Sequence, residues 1–148
     1  MRPPLTFFCA GKPQPAGSKR GFFIAKIKRV VIVDANKNAG DWKTDVKYEA
    51  QSNYSGDLWD GPICLRLTFF VIRPNGHYRS GKNAHLLRDS APRRPTGKPD
   101  LLKLARGVED ALTGIIWKDD AQICEEYLRK EYGSHPGCRI EIKECETE

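Results

Sequence analysis

No acidic residue precedes Asp34, while the same stretch holds seven bases: Arg2, Lys12, Lys19, Arg20, Lys26, Lys28 and Arg29. Long apolar runs are lacking too. Even residues 63–72 are interrupted by Arg66 and are far shorter than the roughly 20 residues a membrane span needs, which excludes a helical membrane protein. The opening Met1-Arg2-Pro3-Pro4 runs into a strand pattern without the apolar core and small-residue cleavage site of a secretory leader, so a cytoplasmic protein is expected. The five cysteines, Cys9, Cys64, Cys124, Cys138 and Cys145, form no CxxC pair and no zinc-type spacing with histidine, and reduced thiols are expected rather than a disulfide framework.

What is there is charge, unevenly placed on a chain of 148 residues, the size of one ordinary domain. Residues 66–98 carry eight bases against one acid, Asp89, whereas the last thirty residues carry nine acids against four bases. Such segregation suits a polyanionic partner, because phosphate contacts supply most sequence-independent affinity for nucleic acid. A solvated basic surface gives the same composition, so charge by itself does not decide.

Residues 5–10 (LTFFCA) read as a strand, 11–21 as a Gly/Pro loop, and 22–33 as a hairpin or a long bent strand. A helix is predicted from Asp41, as N-cap, to about Ser52, with Trp42, Val46 and Ala50 at helical spacing. Residues 61–72 are the strongest strand. Residues 73–98 then form a long basic loop, of the kind that compact domains keep for function. A helix over 101–113 follows, with Leu101, Leu104, Val108, Ala111 and Leu112 on one face, then Gly114 as a stop and two last strands, 121–132 and 138–143. Strands and helices do not alternate regularly, so an α+β fold is expected, a single domain over 1–148 with a mixed sheet covered by two main helices.

Helix 101–113 advances about 18 Å. If the chain reverses at Gly114 and returns extended, the six or so residues to Asp120 retrace about 20 Å. Asp100 is then expected to meet Asp119 and Asp120, forming a carboxylate group that a hard cation such as Mg²⁺ would hold. Such an ion polarises a phosphoryl oxygen and activates water, and Lys103 and Arg106, with Lys98 behind them, would stabilise the developing charge. Plainer roles fit the same residues. Asp100 after Pro99 is an ordinary helix N-cap, Asp119-Asp120 an ordinary solvated turn, and Asp110 a surface partner for Arg106 four residues earlier. His77 and His85 read as solvent or phosphate contacts, and Trp42, Trp59 and Trp117 as core or interface anchors.

Residues 98–123, KPDLLKLARGVEDALTGIIWKDDAQI, resemble the RusA family of Holliday-junction resolvases, common in phages and prophages. The matching pieces are Pro99-Asp100, Lys103-Leu104, Arg106, Asp110-Ala111-Leu112-Thr113-Gly114 and Asp119-Asp120-Ala121-Gln122-Ile123. Supporting similarity comes from the Gly11-Lys12-Pro13 to Gly17-Ser18-Lys19 loop and from Arg73-Pro74 to His77-Tyr78. The resemblance implies a homodimer that binds a four-way DNA junction and places paired nicks in opposing strands during recombination and repair, with Mg²⁺ (or Mn²⁺) as cofactor. It assigns metal binding to Asp100 and Asp120, with Asp119 beside them, and the catalytic basic position to Arg106. Lys12, Lys19, Arg20, Arg79, Lys82, Arg88, Arg93, Arg94 and Lys98 are the expected DNA-backbone contacts. One position departs from the pattern: Leu102 stands where the family carries a second Asp. Two alternatives therefore accompany the nuclease reading: a catalytically silent junction-binding protein, and a basic RNA- or ribosome-associated protein.

Overall fold

The structure is a computed structural model that describes residues 2–16, 19–26, 28–34 and 38–146. Four strands form one sheet: β1 (Leu5–Ala10), β4 (Ile63–Val71), β5 (Ile123–Tyr132) and β6 (Gly137–Glu144), in the order β1-β6-β4-β5. β6 runs antiparallel to both β1 and β4, and β5 runs parallel to β4, so the sheet is mixed. β2 (Lys19–Ile24) and β3 (Arg29–Asp34) pair only with each other, as the expected hairpin. Helices α1 (Ala39–Asn53) and α2 (Leu101–Leu112) pack on one face of the larger sheet, which is the expected α+β arrangement.

The core follows from two periodicities. Trp42, Val46 and Ala50 line one side of α1, and Leu104, Val108, Ala111 and Leu112 one side of α2. They meet alternate residues of the strands: Phe7 and Cys9 in β1, Ile63, Leu65, Leu67 and Phe69 in β4, Cys138, Ile140 and Ile142 in β6. Trp59 and Trp117 join them, so all three tryptophans are core anchors. Four of the cysteines are buried and none is bonded to another. Cys9 and Cys138 lie opposite each other across β1 and β6, and burial pushes both thiols well above their ordinary range, Cys9 to about 12.

Helix α1 begins two residues before the predicted Asp41, with Asn38 as its cap residue. Asp41 lies in the first turn instead, where a negative charge faces the positive end of the helix dipole. The segment after α2 departs further from expectation. Gly114, at φ +87°, lets its N–H donate to the Trp117 carbonyl (2.7 Å), and Ile115 and Ile116 both donate to Leu112 (3.0 Å). Trp117 and Ile116 are thereby buried beneath the helix end, and Trp117 Nε1 donates to Thr113 Oγ1 (3.0 Å). The chain closes a compact turn here. It does not run back extended along the helix, and the return is made by β5.

Candidate active site and nucleic-acid interface

That turn decides where the acids stand. Asp120 follows it directly, at the C-terminal end of α2, while Asp100 precedes the N-terminal end, ten residues or about 15 Å from Asp110. The same separation shows along β5. Lys130 Nζ donates to the carbonyls of Gly97 (2.7 Å) and Pro99 (2.9 Å), fixing Asp100 beside a residue about 23 Å along the strand from Ile123. The expected convergence of Asp100 with Asp119 and Asp120 within one chain is therefore not formed. Its premise was an extended return, and the buried Ile116 and Trp117 replace that with a turn.

What Asp120 meets instead is a group of other carboxylates. Glu109 and Asp110 come from the last turn of α2, and Glu126 from the face of β5 that carries Leu128 and faces the helices. Glu109 is half-buried, and that burial first, then a hydrogen bond with Glu126 and the charges of Glu126, Asp120 and Asp110, pushes its carboxyl up to about 8. That favours its protonated form. Asp110 does not pair with Arg106 as expected but with Lys43 of α1 (3.3 Å), joining the two helices.

Asp119 and Asp120 divide their work. Asp119 caps the short 3-10 turn Asp120–Gln122, its Oδ1 accepting from Ala121 N–H (2.9 Å), while Gln122 Oε1 accepts from the N–H groups of Asp119 (2.9 Å) and Lys118 (3.0 Å). Gln122 Nε2 donates in turn to the carbonyls of Trp59 (2.8 Å) and Gly61 (3.1 Å), tying the turn to the start of β4. The Ala121 N–H, with a hydrogen bond to Asp120, holds the Asp119 carboxyl below its usual range, and the Asp119 side chain raises that of Asp120. One carboxylate is thus committed to the backbone and the other left exposed at the edge of the acidic group.

At the opposite end of α2, Asp100 sits at the cap position without capping: its side chain makes no hydrogen bond to the helix N–H groups. Its Oδ2 lies 3.8 Å from Lys103 Nζ, a solvated pair that leaves the carboxylate accessible. Leu102, the second residue of α2, is 71% exposed, so the apolar residue at this position packs on little within the chain. Arg106 is exposed between the two ends and has no ion-pair partner among the described residues. Against its other side packs the turn after β1, where Ala16 N–H donates to the Lys103 carbonyl (3.0 Å) and the Gln14 carbonyl would lie 3.3 Å from a Cβ on Gly107.

The basic loop 73–98 is built rather than loose. Arg79 N–H donates to Leu86 (2.9 Å), Arg88 N–H to His77 (2.8 Å), and the Arg79 and Arg88 guanidinium groups donate to the carbonyls of Leu87 (3.2 Å) and Tyr78 (2.9 Å). Arg79 also pairs with Asp89 (3.1 Å), so these two arginines brace the loop. Lys12, Lys82, Arg93, Arg94 and Lys98 are exposed, whereas the side chains of Lys19 and Arg20, and all of Gly17 and Ser18, lie outside the described residues. Sequence reasoning missed Glu126 and Arg73. Arg73 sits over the Tyr132 ring at 4.2 Å and donates to the Pro92 carbonyl (2.7 Å), and His77 meets the same ring edge-on. Alternation along β5 from Leu128, two residues on, could have placed Glu126 on the helix face. Arg73 entered only within the Arg73-Pro74 to His77-Tyr78 similarity, without a role of its own.

Among the described residues no three His, Cys, Asp or Glu side chains form a ready metal cage, and no helix is long and apolar enough to cross a membrane. An α+β frame with an acidic group at one end of α2 and a basic loop at the other suits a protein that handles a charged polymer such as nucleic acid. The comparison with known families makes this specific: the chain belongs to the endodeoxyribonuclease RusA family, whose model matches residues 12–143. It is also similar to the "Uncharacterized protein YqaN" of Bacillus subtilis (strain 168), 27% identical over 143 residues, which are 95% of this chain and 96% of that relative. The family gives the activity class, an endodeoxyribonuclease acting on branched DNA.

Proposed function

We propose that this chain is a structure-selective, Mg²⁺-dependent endodeoxyribonuclease that resolves four-way DNA junctions by paired nicks as a homodimer in the bacterial cytoplasm. The observation that carries the reading is the gathering of Glu109, Asp110, Asp120 and Glu126 at the C-terminal end of α2, on a chain of the RusA family. Mg²⁺ takes one or two carboxylates and completes its shell with water and phosphate oxygens, so the absence of a three-carboxylate cage in one chain does not disqualify the donors present. Asp120, supported by Asp119, and Asp100 are the residues that would hold it. Mn²⁺ takes the same oxygen donors. Once bound, such an ion supplies Lewis-acid polarisation of the phosphodiester and a more acidic water.

The chain's own groups do the rest. Arg106 and Lys103 offset charge on the phosphate oxygens, and neutral Glu109 limits the repulsion around Asp120. Exposed Lys12, Lys82, Arg93, Arg94 and Lys98 grip the backbone of the junction arms. The homodimer accounts for the distance between the acids. β5 is an edge strand on which Glu126, Leu128 and Lys130 share the helix face, so antiparallel pairing with a second copy about Leu128 sets Glu126 of each copy against Lys130 of the other. Lys130 holds Pro99, and with it Asp100, so the same pairing carries Asp100 of one protomer toward Glu126 and Asp120 of the other.

Incubation of the purified protein with an end-labelled four-way junction and Mg²⁺ tests the reading: symmetric nicks in opposing strands are expected. Junction binding without nicks under any of Mg²⁺, Mn²⁺ or Co²⁺ would overturn the enzyme. It would favour the second reading, a catalytically silent junction-binding protein, for which exposed Leu102 in place of an acid is the motivating observation.

A further inference from the structure

A cavity of about 640 Å³ opens where the ends of β4 and β5 meet the return of the basic loop, on the Asp100 side of α2. Its walls are unusual in two respects. Six prolines line it, which gives rigid apolar rings without N–H groups, and the charged residues among its lining are Lys12, Lys98 and Lys130, with no acid. Lys130 is spent on the wall itself, donating to Gly97 and Pro99, whereas Lys12 and Lys98 are exposed at the rim. Tyr132 lines it, held by the Arg73 guanidinium at 4.2 Å and by the edge of His77, and it also borders a second hollow with Arg93, Arg94 and Glu131.

An apolar slot of this volume falls in the range that takes a small molecule and not a duplex. A rim of cations without acids asks for an anion attached to the apolar part. An unstacked nucleotide has both, a flat base and a phosphate on either side, and single-stranded nucleic acid is held by stacking surfaces flanked by basic groups. A hydrophobic peptide would fill the slot equally but has no use for the rim. Pro99 is both a wall of the cavity and the neighbour of Asp100, so a base seated here fixes the adjoining phosphate near the N-terminal end of α2. We propose that this proline-walled cavity binds an unpaired base extruded at the branch point of the DNA, with its flanking phosphates on Lys12 and Lys98. The proposal rests on the junction reading above and adds to it the means by which a branch point is told from plain duplex.

The test uses four-way junctions carrying 2-aminopurine either at the branch point or in the middle of an arm, with EDTA present so that no strand is cut. Binding by the unaltered chain is expected to raise branch-point fluorescence several-fold and leave the arm signal flat. Thr96→Trp, at an exposed residue lining the cavity, should abolish that rise and weaken junction binding about tenfold while leaving linear duplex binding unchanged. As a readout that needs no variant, amide shifts of Thr96, Gly97 and Tyr132 should move on titration with a short oligothymidylate. A junction that binds tightly with no branch-point rise, or with the same rise in Thr96→Trp, overturns the cavity proposal alone. Equal affinity for junction and linear duplex sinks the junction reading and the cavity with it.

Discussion

The two ends of helix α2 are built for opposite work. At its C-terminal end four acids, Glu109, Asp110, Asp120 and Glu126, crowd so that the Glu109 carboxyl is raised, and a hydrogen-bonded turn around Gln122 fixes Asp120 among them. At its N-terminal end a single accessible carboxylate, Asp100, sits among Lys98, Lys103 and a proline-walled cavity. The first end concentrates negative charge and would bind a cation. The second concentrates positive charge and would bind the polyanion. The nuclease proposed above would bring the two ends together between copies.

That division is broken most sharply by the aspartates themselves. Asp120→Asn and Asp100→Asn should each lower junction nicking about a hundredfold or more with binding retained, since each removes an oxygen donor for the cation. Mixing the two inactive proteins separates a shared site from a site within one chain. If Asp100 of one protomer works with Asp120 of the other, half the mixed dimers' sites are intact, and single nicks return to the gel. A site within one chain gives no recovery. Unchanged function of Asp120→Asn favours the silent binder instead. Next in size is Gln122→Ala, which removes four hydrogen bonds, two within the acidic turn and two from it to the carbonyls of Trp59 and Gly61, and leaves those partly buried carbonyls unpaired. A loss of about 2–3 kcal/mol in urea unfolding is expected.

Most of the frame was legible in the sequence because apolar spacing is a local signal. The strand at 5–10, the hairpin, both helices and the last two strands stand within a few residues of where period 2 and period 3.6 put them. The acids show the limit of such reasoning. Asp100, Asp119 and Asp120 were nameable from the residues around them, yet their distances depended on whether Gly114–Trp117 ran extended or turned. The burial of Ile116 and Trp117 decided that, and burial is a tertiary fact. Glu126 is a different case: alternation from Leu128 marks its face, but that it meets Glu109 and Asp120 there depends on how β5 packs against α2.

Glu109 tests the acidic end by pH. Its folded carboxyl is raised from 4.5 to about 8, so the folded chain holds a proton that the unfolded chain gives up. The stability this represents is fully present below pH ~4.5 and is lost as pH rises through about 8. Glu109→Gln keeps the shape and removes the titration. The melting temperature of the unaltered chain should fall relative to the variant between pH 5 and 8.5, by an amount corresponding to about 1–2 kcal/mol once the sharing with Glu126 is allowed for. Parallel curves would mean that the acids are farther apart than described.

The smallest expected effect on the fold comes at Leu102, and it sharpens the contrast from the other end. The side chain is 71% exposed in the first turn of α2, so Leu102→Asp loses little packing and gains a favourable charge at the helix N-terminus. Stability should stay within about 0.5 kcal/mol. A second carboxylate beside Asp100 would make this end a better cation site while weakening the positive field there. Nicking at low Mg²⁺ should therefore rise as junction affinity at low salt falls slightly. If nicking appears only in this variant, the natural chain is a binder whose acidic end has lost its partner. If the natural chain already nicks and Leu102→Asp merely lowers the Mg²⁺ requirement, Asp100 and Asp120 suffice, and the leucine is a surface residue free to contact DNA or the second protomer.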